Sequence, residues 1–221
     1  MRDIFLITSV INTGVERWSY TDVRSIYSPK ERFEQTLKTI ESIRNLNDNT
    51  LIMLVECSDI SSDMEDILRS KVDIFINCID NEEARNACLY SNKKGYGEVV
   101  KIYLALNYIL KNNIEFDRFF KISGRYVLND MFDKINYSFD KYTFGVLGIL
   151  YNYVPSTLYS VPHILLMEYH NILVECMNIY KNNVTSLEVL LGSMCIPKHI
   201  IKNVGVSGYC AVDNTFSYYC A

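Results

Sequence analysis

The sequence predicts an α/β protein with a mostly parallel central sheet flanked by helices. Three observations carry that expectation: short apolar, β-rich runs with the look of strands buried on both faces, helical apolar periods between them at βαβ spacing, and polar residues gathered where each run ends. The chain has 221 residues, 49% of them hydrophobic and 22% charged, an ordinary globular composition that supports one substantial core. No linker, repeat or low-complexity stretch divides it, so residues 1–221 are read as one domain.

Ile4 to Ile11 is the first continuous apolar run; it is too short for a signal-peptide core with a cleavage site and reads as a strand. The polar segment Asn12 to Ser28 is longer than a bare connection needs. Ser28-Pro29 then opens a helix, with Ser as N-cap, Pro in the first turn and Glu31 close behind, and Phe33, Leu37, Ile40 and Ile43 give it an apolar face. Leu51 to Val55 is a second strand, Ser61-Ser62-Asp63 caps a helix to about Lys71, and Asp73 to Ile79 is a third strand. Val99, Ile102, Leu106, Ile109 and Leu110 keep helical spacing from about Tyr96 to Lys111, and Phe116 to Ile122 is the fourth strand. Beyond Asn136 the pattern changes to short β segments (Phe144 to Tyr153), an apolar helix (Ile164 to Tyr180), a further helix (Leu187 to Ile201) and a tail rich in Gly, Tyr and Cys.

The net charge of −4 is spread with both signs mixed along the chain, so no basic stripe exists to neutralise a nucleic-acid backbone, and nucleic acid is set aside as a partner. No run of about 18 apolar residues offers a membrane span. The seven cysteines contain no CxxC pair and sit in apolar runs, which reads as buried thiols in a reducing, cytoplasmic setting.

In a parallel sheet the functional edge lies at the strands' C-terminal ends. There the sequence places Thr8 and Ser9, Glu56, Asp80, and the stretch Lys121-Ile-Ser-Gly-Arg125. Glu56 suits a pyrimidine N–H, while Arg24, Lys94, Lys121 and Arg125 suit a diphosphate. A turn in which Lys121 and Arg125 pair with Asp117 or Asp130 would explain the same charges. Lys94-Gly-Tyr-Gly-Glu98 precedes a long helix, where Gly97 would let backbone N–H groups approach an anion, although a helix-leading loop explains the same residues. Thr185-x-x-Glu188 is a capping box by itself, and the same position could hold Glu188 over a reaction centre as a base. His163, His170 and His199 lack metal-ligand spacing and read as packing residues.

The order of Arg24-Ser25-x-Tyr27-Ser28-Pro29-x-Glu31-Arg32 leading into Gln35-Thr36, then Gly97-Glu98, Phe120-Lys-Ile-Ser-Gly-Arg-Tyr126 and Ser186-Leu-Glu188 resembles the GT-A-fold glycosyltransferases, the capsular-polysaccharide and chlorella-virus capsid types above all. The resemblance spans Ile4 to Gly192 and implies a GT-A-like (Rossmann-like) sheet. It also implies a nucleotide-sugar donor, a UDP-sugar for preference, and a glycan or glycoprotein acceptor reached through Phe144 to Tyr180, with Tyr151, Tyr153 and Tyr159 suited to sugar stacking. Thr8, Ser9 and Val10 would line the nucleotide pocket with Ser123 and Gly124 nearby, and Glu188 would sit by the acceptor. For a viral member the setting is the host cytoplasm.

That family's fourth strand ends in Asp-x-Asp, which holds Mn or Mg; here Ser123-Gly124-Arg125 stands there, so Arg125, helped by Lys121 or Lys94, is expected to share or replace the metal's role. Asp80-x-Glu82 and Asn129-Asp130 remain as oxygen-ligand pairs. Two other readings stay open: a nucleotidyltransferase, which would want a Gly-rich basic loop after the first strand where Gly14 is the single glycine, and a silent binding scaffold.

Overall fold

The computed structural model describes residues 2–46, 49–146 and 153–213, and the backbone of 216–220. In chain order the first half comprises β1 (Asp3–Ser9), α1 (Pro29–Arg44), β2 (Thr50–Glu56), α2 (Ser62–Lys71), β3 (Ile74–Asn77), α3 (Glu82–Arg85) with a π-helical turn at Asn86–Tyr90, α4 (Lys94–Lys111) and β4 (Arg118–Ser123). The second half comprises β5 (Tyr126–Leu128), β6 (Tyr142–Gly145), β7 (Leu158–Pro162), α5 (Leu166–Asn182), α6 (Leu187–Met194), β8 (Lys198–Ile201), β9 (Asn203–Tyr209) and β10 (Phe216–Cys220).

The main sheet runs β3-β2-β1-β4-β7-β6-β8, and β3, β2, β1 and β4 are mutually parallel. Alternate residues of each central strand feed opposite cores, as a period of two requires. Ile4 and Leu6 of β1 with Met53 and Val55 of β2 pack under α4, α5 and α6, whereas Phe5 and Ile7 with Ile52 and Leu54 pack under α1 and α2. Burial on both faces is why these strands read as unbroken apolar runs. Register aligns their ends: Ser9 lies opposite Glu56, Thr8 opposite Ser123, and Glu56 opposite Asn77.

Helix α1 begins where the sequence says. Ser28 Oγ accepts the Glu31 amide at 3.3 Å and Glu31 Oε2 accepts the Ser28 amide at 2.8 Å, a closed capping box behind Pro29. The expected second box does not form. The N-cap of α6 is Ser186, one residue past Thr185, and its hydroxyl turns to Glu188 Oε2 at 2.5 Å instead of capping the helix.

The C-terminal half departs furthest from expectation. The helix expected over Leu187 to Ile201 stops at Met194; Pro197 cannot continue it, and the β-branched Ile200 and Ile201 pair with Phe144 and Gly145 as edge strand β8. The tail is also structured, because β9 takes β5 on one side and β10 on the other in a second, antiparallel sheet. Of the β segment expected over Phe144 to Tyr153, β6 covers the start, and Tyr151 lies outside the described residues. Tyr159 is a core residue, fully buried with its hydroxyl 2.5 Å from that of Tyr169, and takes no part in a surface. Five cysteines are buried, as expected, and Cys210 is half-buried.

At the N-terminal ends of β1 and β4 a buried ion pair, Asp3 with Arg118, closes the sheet, and the part-exposed Lys134 joins it with Nζ 3.0 Å from Asp3 Oδ2. Arg118 sets Nε and Nη2 on the two oxygens of Asp3 at 3.0 and 3.1 Å, and Nη1 donates to the Lys134 and Tyr137 carbonyls. A buried pair broken on one side leaves an uncompensated charge, so Asp3→Asn should lower unfolding free energy by about 3–5 kcal/mol in urea denaturation. The variant's folded fraction should keep its ligand-binding behaviour, since this pair lies at the opposite end of the strands from the cleft described next.

Candidate functional site

A cleft partly open to solvent lies where β1 and β4 end. Its floor is the strand ends, Thr8 to Val10 and Ser123 to Arg125. One wall is α1, which contributes Arg32 and Thr36 one turn apart, and another is α4, whose Lys94, Gly97, Glu98 and Lys101 share one helical face. Thr13, Trp18 and Arg24 close it from the long segment after β1, joined by Cys88 and Ala211.

Five cationic side chains, Arg24, Arg32, Lys94, Lys101 and Arg125, meet in this space with Glu98 as the one carboxylate among the described lining residues. They are not equally free. Arg24 directs its guanidinium into the protein: Nη1 donates to the Cys88 carbonyl at 2.8 Å, Nε and Nη2 donate to the carbonyls of Glu16 and Ser91, and its charge lies 3.9 Å over the Trp18 ring. It therefore clamps the 12–28 segment to the π-helical turn. Arg32 donates to the Val10 carbonyl at 2.6 Å and Ser25 Oγ at 3.2 Å, and Lys101 to the Ser9 carbonyl at 3.0 Å. Arg125 gives Nη1 to the Tyr209 carbonyl at 3.1 Å. The Lys94 ammonium donates to no described residue, and Lys94 as a whole is exposed to solvent although its charge faces the cleft's other cations.

These charges oppose one another. Burial pushes Arg32 down to about 9, and Arg125 pushes it the same way while Glu56 resists. A guanidinium does not surrender its proton, so the depression reflects how poorly this place accommodates the charge without an anion. Lys94 is lowered by desolvation and then by Arg125, with Glu188 acting in the other direction. Lys121 is lowered by desolvation first, with Arg125 and Lys94 adding to it against the pull of Glu188.

Three expected site residues lie behind the lining. Lys121 is fully buried, and its ammonium donates to Glu98 Oε1, to Ser123 Oγ at 2.9 Å and to the Ser156 carbonyl at 2.5 Å. All three protons go to protein oxygens, so Lys121 reaches a ligand through Glu98 and Ser123. Neither Asp117 nor Asp130 is among its partners. Glu56 is fully buried; Oε1 accepts the Ile11 amide at 2.9 Å and the Ser58 hydroxyl at 2.5 Å, while Oε2 has no partner among the described residues. Glu188 is half-buried, accepting the hydroxyls of Ser156 at 2.7 Å and Ser186 at 2.5 Å.

The glycines serve packing. A Cβ on Gly95 would stand 2.0 Å from Tyr180 Oη, one on Gly97 3.0 Å from the Ala87 carbonyl and Cys88 Sγ, and one on Gly14 2.1 Å from the Leu89 carbonyl. A side chain at Gly14 or Gly95 would strike protein, while Gly97 packs against Ala87 and Cys88 and also lines the cleft.

The donor set does not fit a divalent cation. Among the described residues no group of three or more His, Cys, Asp or Glu could hold a metal ion. Asp80, Glu82 and Asp130 are exposed away from the cleft, and Asn129 Oδ1 accepts the Met131 amide at 3.0 Å. Sequence reasoning did not single out Arg32, Thr36, Glu98 and Lys101 as ligand residues. The legible signal was charge on an otherwise apolar helix face, with Lys101 set between Val100 and Ile102.

No protein-family model matches the chain and no curated protein does. Among solved structures, the chain is similar to the galactosyltransferase LgtC in complex with donor and acceptor sugar analogues, at 11% identity, 95% coverage of this chain, 87% of that one and a TM-score of 0.53. It is also similar to a nucleoside-diphosphate-sugar pyrophosphorylase from Vibrio cholerae, at 13% identity, 96% coverage of both chains and a TM-score of 0.51. A glycosyltransferase involved in glycosylation of the major capsid of PBCV-1 aligns at 8% identity over 91% of this chain and 82% of that one, with a TM-score of 0.48. At these identities the likeness concerns the fold, a GT-A-like α/β arrangement common to enzymes of more than one activity.

The Gly95 contact is testable by stability alone. Gly95→Ala should destabilise by about 1–3 kcal/mol through overpacking, and adding Tyr180→Phe, which removes the clashing and otherwise unpartnered hydroxyl, should recover most of the loss in thermal denaturation.

Proposed function

We propose that this cleft binds the diphosphate of a nucleotide sugar, a UDP-sugar for preference, and that the protein transfers the sugar to a glycan or glycoprotein acceptor. The observation that carries the proposal is the gathering of Arg32, Lys94, Lys101 and Arg125 around one cleft at the ends of parallel strands, with Arg125 opposing the charges of both Arg32 and Lys94. Charges that destabilise one another in the free protein are relieved together by an anion, and a diphosphate carries the charge to do it.

In the proposed reaction an acceptor hydroxyl oxygen bonds to the anomeric carbon, the bond from that carbon to the β-phosphate oxygen breaks, and the nucleoside diphosphate leaves with the electron pair. Negative charge grows on the leaving oxygen. Arg125 and the unpartnered Lys94 are the cations free to receive it, and cationic stabilisation of that oxygen is the contribution Asp-x-Asp enzymes obtain from a metal. Glu188 is assigned to the acceptor side, taking the hydroxyl proton. The exposed ring of Tyr20 falls within electrostatic reach of Glu188, Arg125 and Tyr153 and is suited to face the acceptor. The nucleotidyltransferase reading draws no support from the segment after β1, since Gly14 is occupied by its contact with Leu89.

Thermal shift against a panel of nucleoside diphosphates and nucleotide sugars should show stabilisation by a uridine diphosphate, and no shift with any nucleotide would overturn the proposal. Arg125→Met should lower kcat about 100- to 1,000-fold in donor turnover, with activity retained by the parent enzyme in chelator. Glu188→Gln should lower kcat while leaving donor affinity unchanged.

The depressed Lys94 sets the pH dependence. Its pKa is low in the free protein and rises when an anion binds, so binding takes up a proton between the two values. Affinity should be full below the free-state pKa and decline as pH rises through it. Calorimetry in buffers of different ionisation enthalpy should register that uptake, and proton release would contradict the assignment.

A further inference from the structure

Glu98 is out of place in a cleft built for an anion. It lines the space shared by Arg125, Lys94, Lys101 and Arg32, where a carboxylate repels phosphate and weakens the field the cations create. Neutralising its own helix neighbours does not account for it. Lys94 and Lys101 flank it on the same face of α4, yet its ion pair is with Lys121 on β4, which leaves Lys94 uncommitted and Lys101 on the Ser9 carbonyl. Lys121 is fully buried and 16% of the Glu98 side chain stays exposed, so the pair has an inner end and an open end, and the open end is the acid. One carboxylate oxygen is fixed by the lysine. Glu98 lines the cleft, and no hydrogen bond to its other oxygen is recorded among the described residues.

We infer that Glu98 reads a hydroxyl of the transferred sugar and divides the cleft into a cationic arm for the diphosphate and an acid-lined arm for the sugar. The inference rests on the nucleotide-sugar reading above and specifies which part of the donor goes where. A hydroxyl donates to a carboxylate and a phosphate cannot, so the same side chain that attracts the sugar turns the phosphates towards Arg125 and Lys94. Lys121 acts as the positioning residue: its fixed ammonium sets the carboxylate's direction.

Calorimetric titration with UDP, GDP, UDP-glucose, UDP-galactose, UDP-N-acetylglucosamine and GDP-mannose tests this. For the nucleotide sugar the parent protein prefers, Glu98→Gln should weaken binding on the order of 10- to 100-fold, the worth of one charge-assisted hydrogen bond, while affinity for the matching diphosphate stays equal or rises. Because Glu98→Gln deprives a buried lysine of its counter-charge, the second variant Glu98→Asp, which keeps that charge and shortens its reach by one methylene, provides a folded comparison and should show a selective loss of the nucleotide sugar in smaller measure. Equal weakening of diphosphate and nucleotide sugar in both variants would make Glu98 structural and overturn the inference while the nucleotide-sugar reading stands. Failure of the parent protein to bind any of the six would overturn both.

Discussion

A buried lysine holds this site together. The Lys121 ammonium is shut away from water at the end of β4, and an ion in that position costs several kcal/mol unless every proton finds an acceptor. Its acceptors come from separate parts of the chain: Glu98 on α4, Ser123 on β4 itself and the Ser156 carbonyl just before β7. Ser156 in turn donates to Glu188 on α6 at 2.7 Å. One charge thus fixes where α4 meets the sheet, where the segment before β7 runs, and through Ser156 where α6 begins. The cleft inherits its shape from that convergence.

The fold supplies the second requirement, a place where cations can be crowded without collapsing onto carboxylates. Parallel strands in register end together, so Thr8, Ser9 and Ser123 present short polar residues side by side, and α1 and α4 each bring a cationic face to that edge. Backbone carbonyls, and not acids, hold the guanidiniums of Arg24, Arg32 and Arg125 in position. A carbonyl orients a cation without cancelling its charge, so the cleft stays positive inside a chain whose formal net charge is −4.

What the sequence revealed and what it hid divide along a physical line. The strands of the first half and the start of α1 were legible because their signals are local: apolar runs buried on both faces, and a Ser-Pro-x-Glu cap that closes within four residues. The strands β5, β8 and β9 were hidden, since each exists by pairing with a partner far along the chain, Tyr126 with Gly208 and Phe144 with Ile200. The glycines misled for the same reason. Gly95 looks like room for a ligand, and only the packed position of Tyr180 shows that protein fills it, whereas Gly97 does line the cleft. Within the site, Arg125, Lys94 and the ends of β1 could be placed from strand-end logic. The different fates of Arg24 and Lys121 could not, because which acceptors surround a cation is decided by tertiary contacts. Glu98 was legible as part of a helix start, but its pairing across to β4 was not.

The strand end Ser123-Gly124-Arg125 shapes more than its own three residues. Gly124 fits tightly: its amide lies 3.0 Å from the Thr8 carbonyl, and a methyl group at its Cα would meet Ile7, Thr36 and Thr8 at 3.3 Å, so the turn lies close against β1 and α1. That tightness throws Arg125 outward, to where β9 supplies the Tyr209 carbonyl as its anchor. The second sheet, which delivers Tyr209, is therefore part of the same arrangement as the turn. Backbone carbonyls steer the cleft's guanidiniums, while Glu98, the one carboxylate among the described lining residues, is drawn to Lys121 behind them.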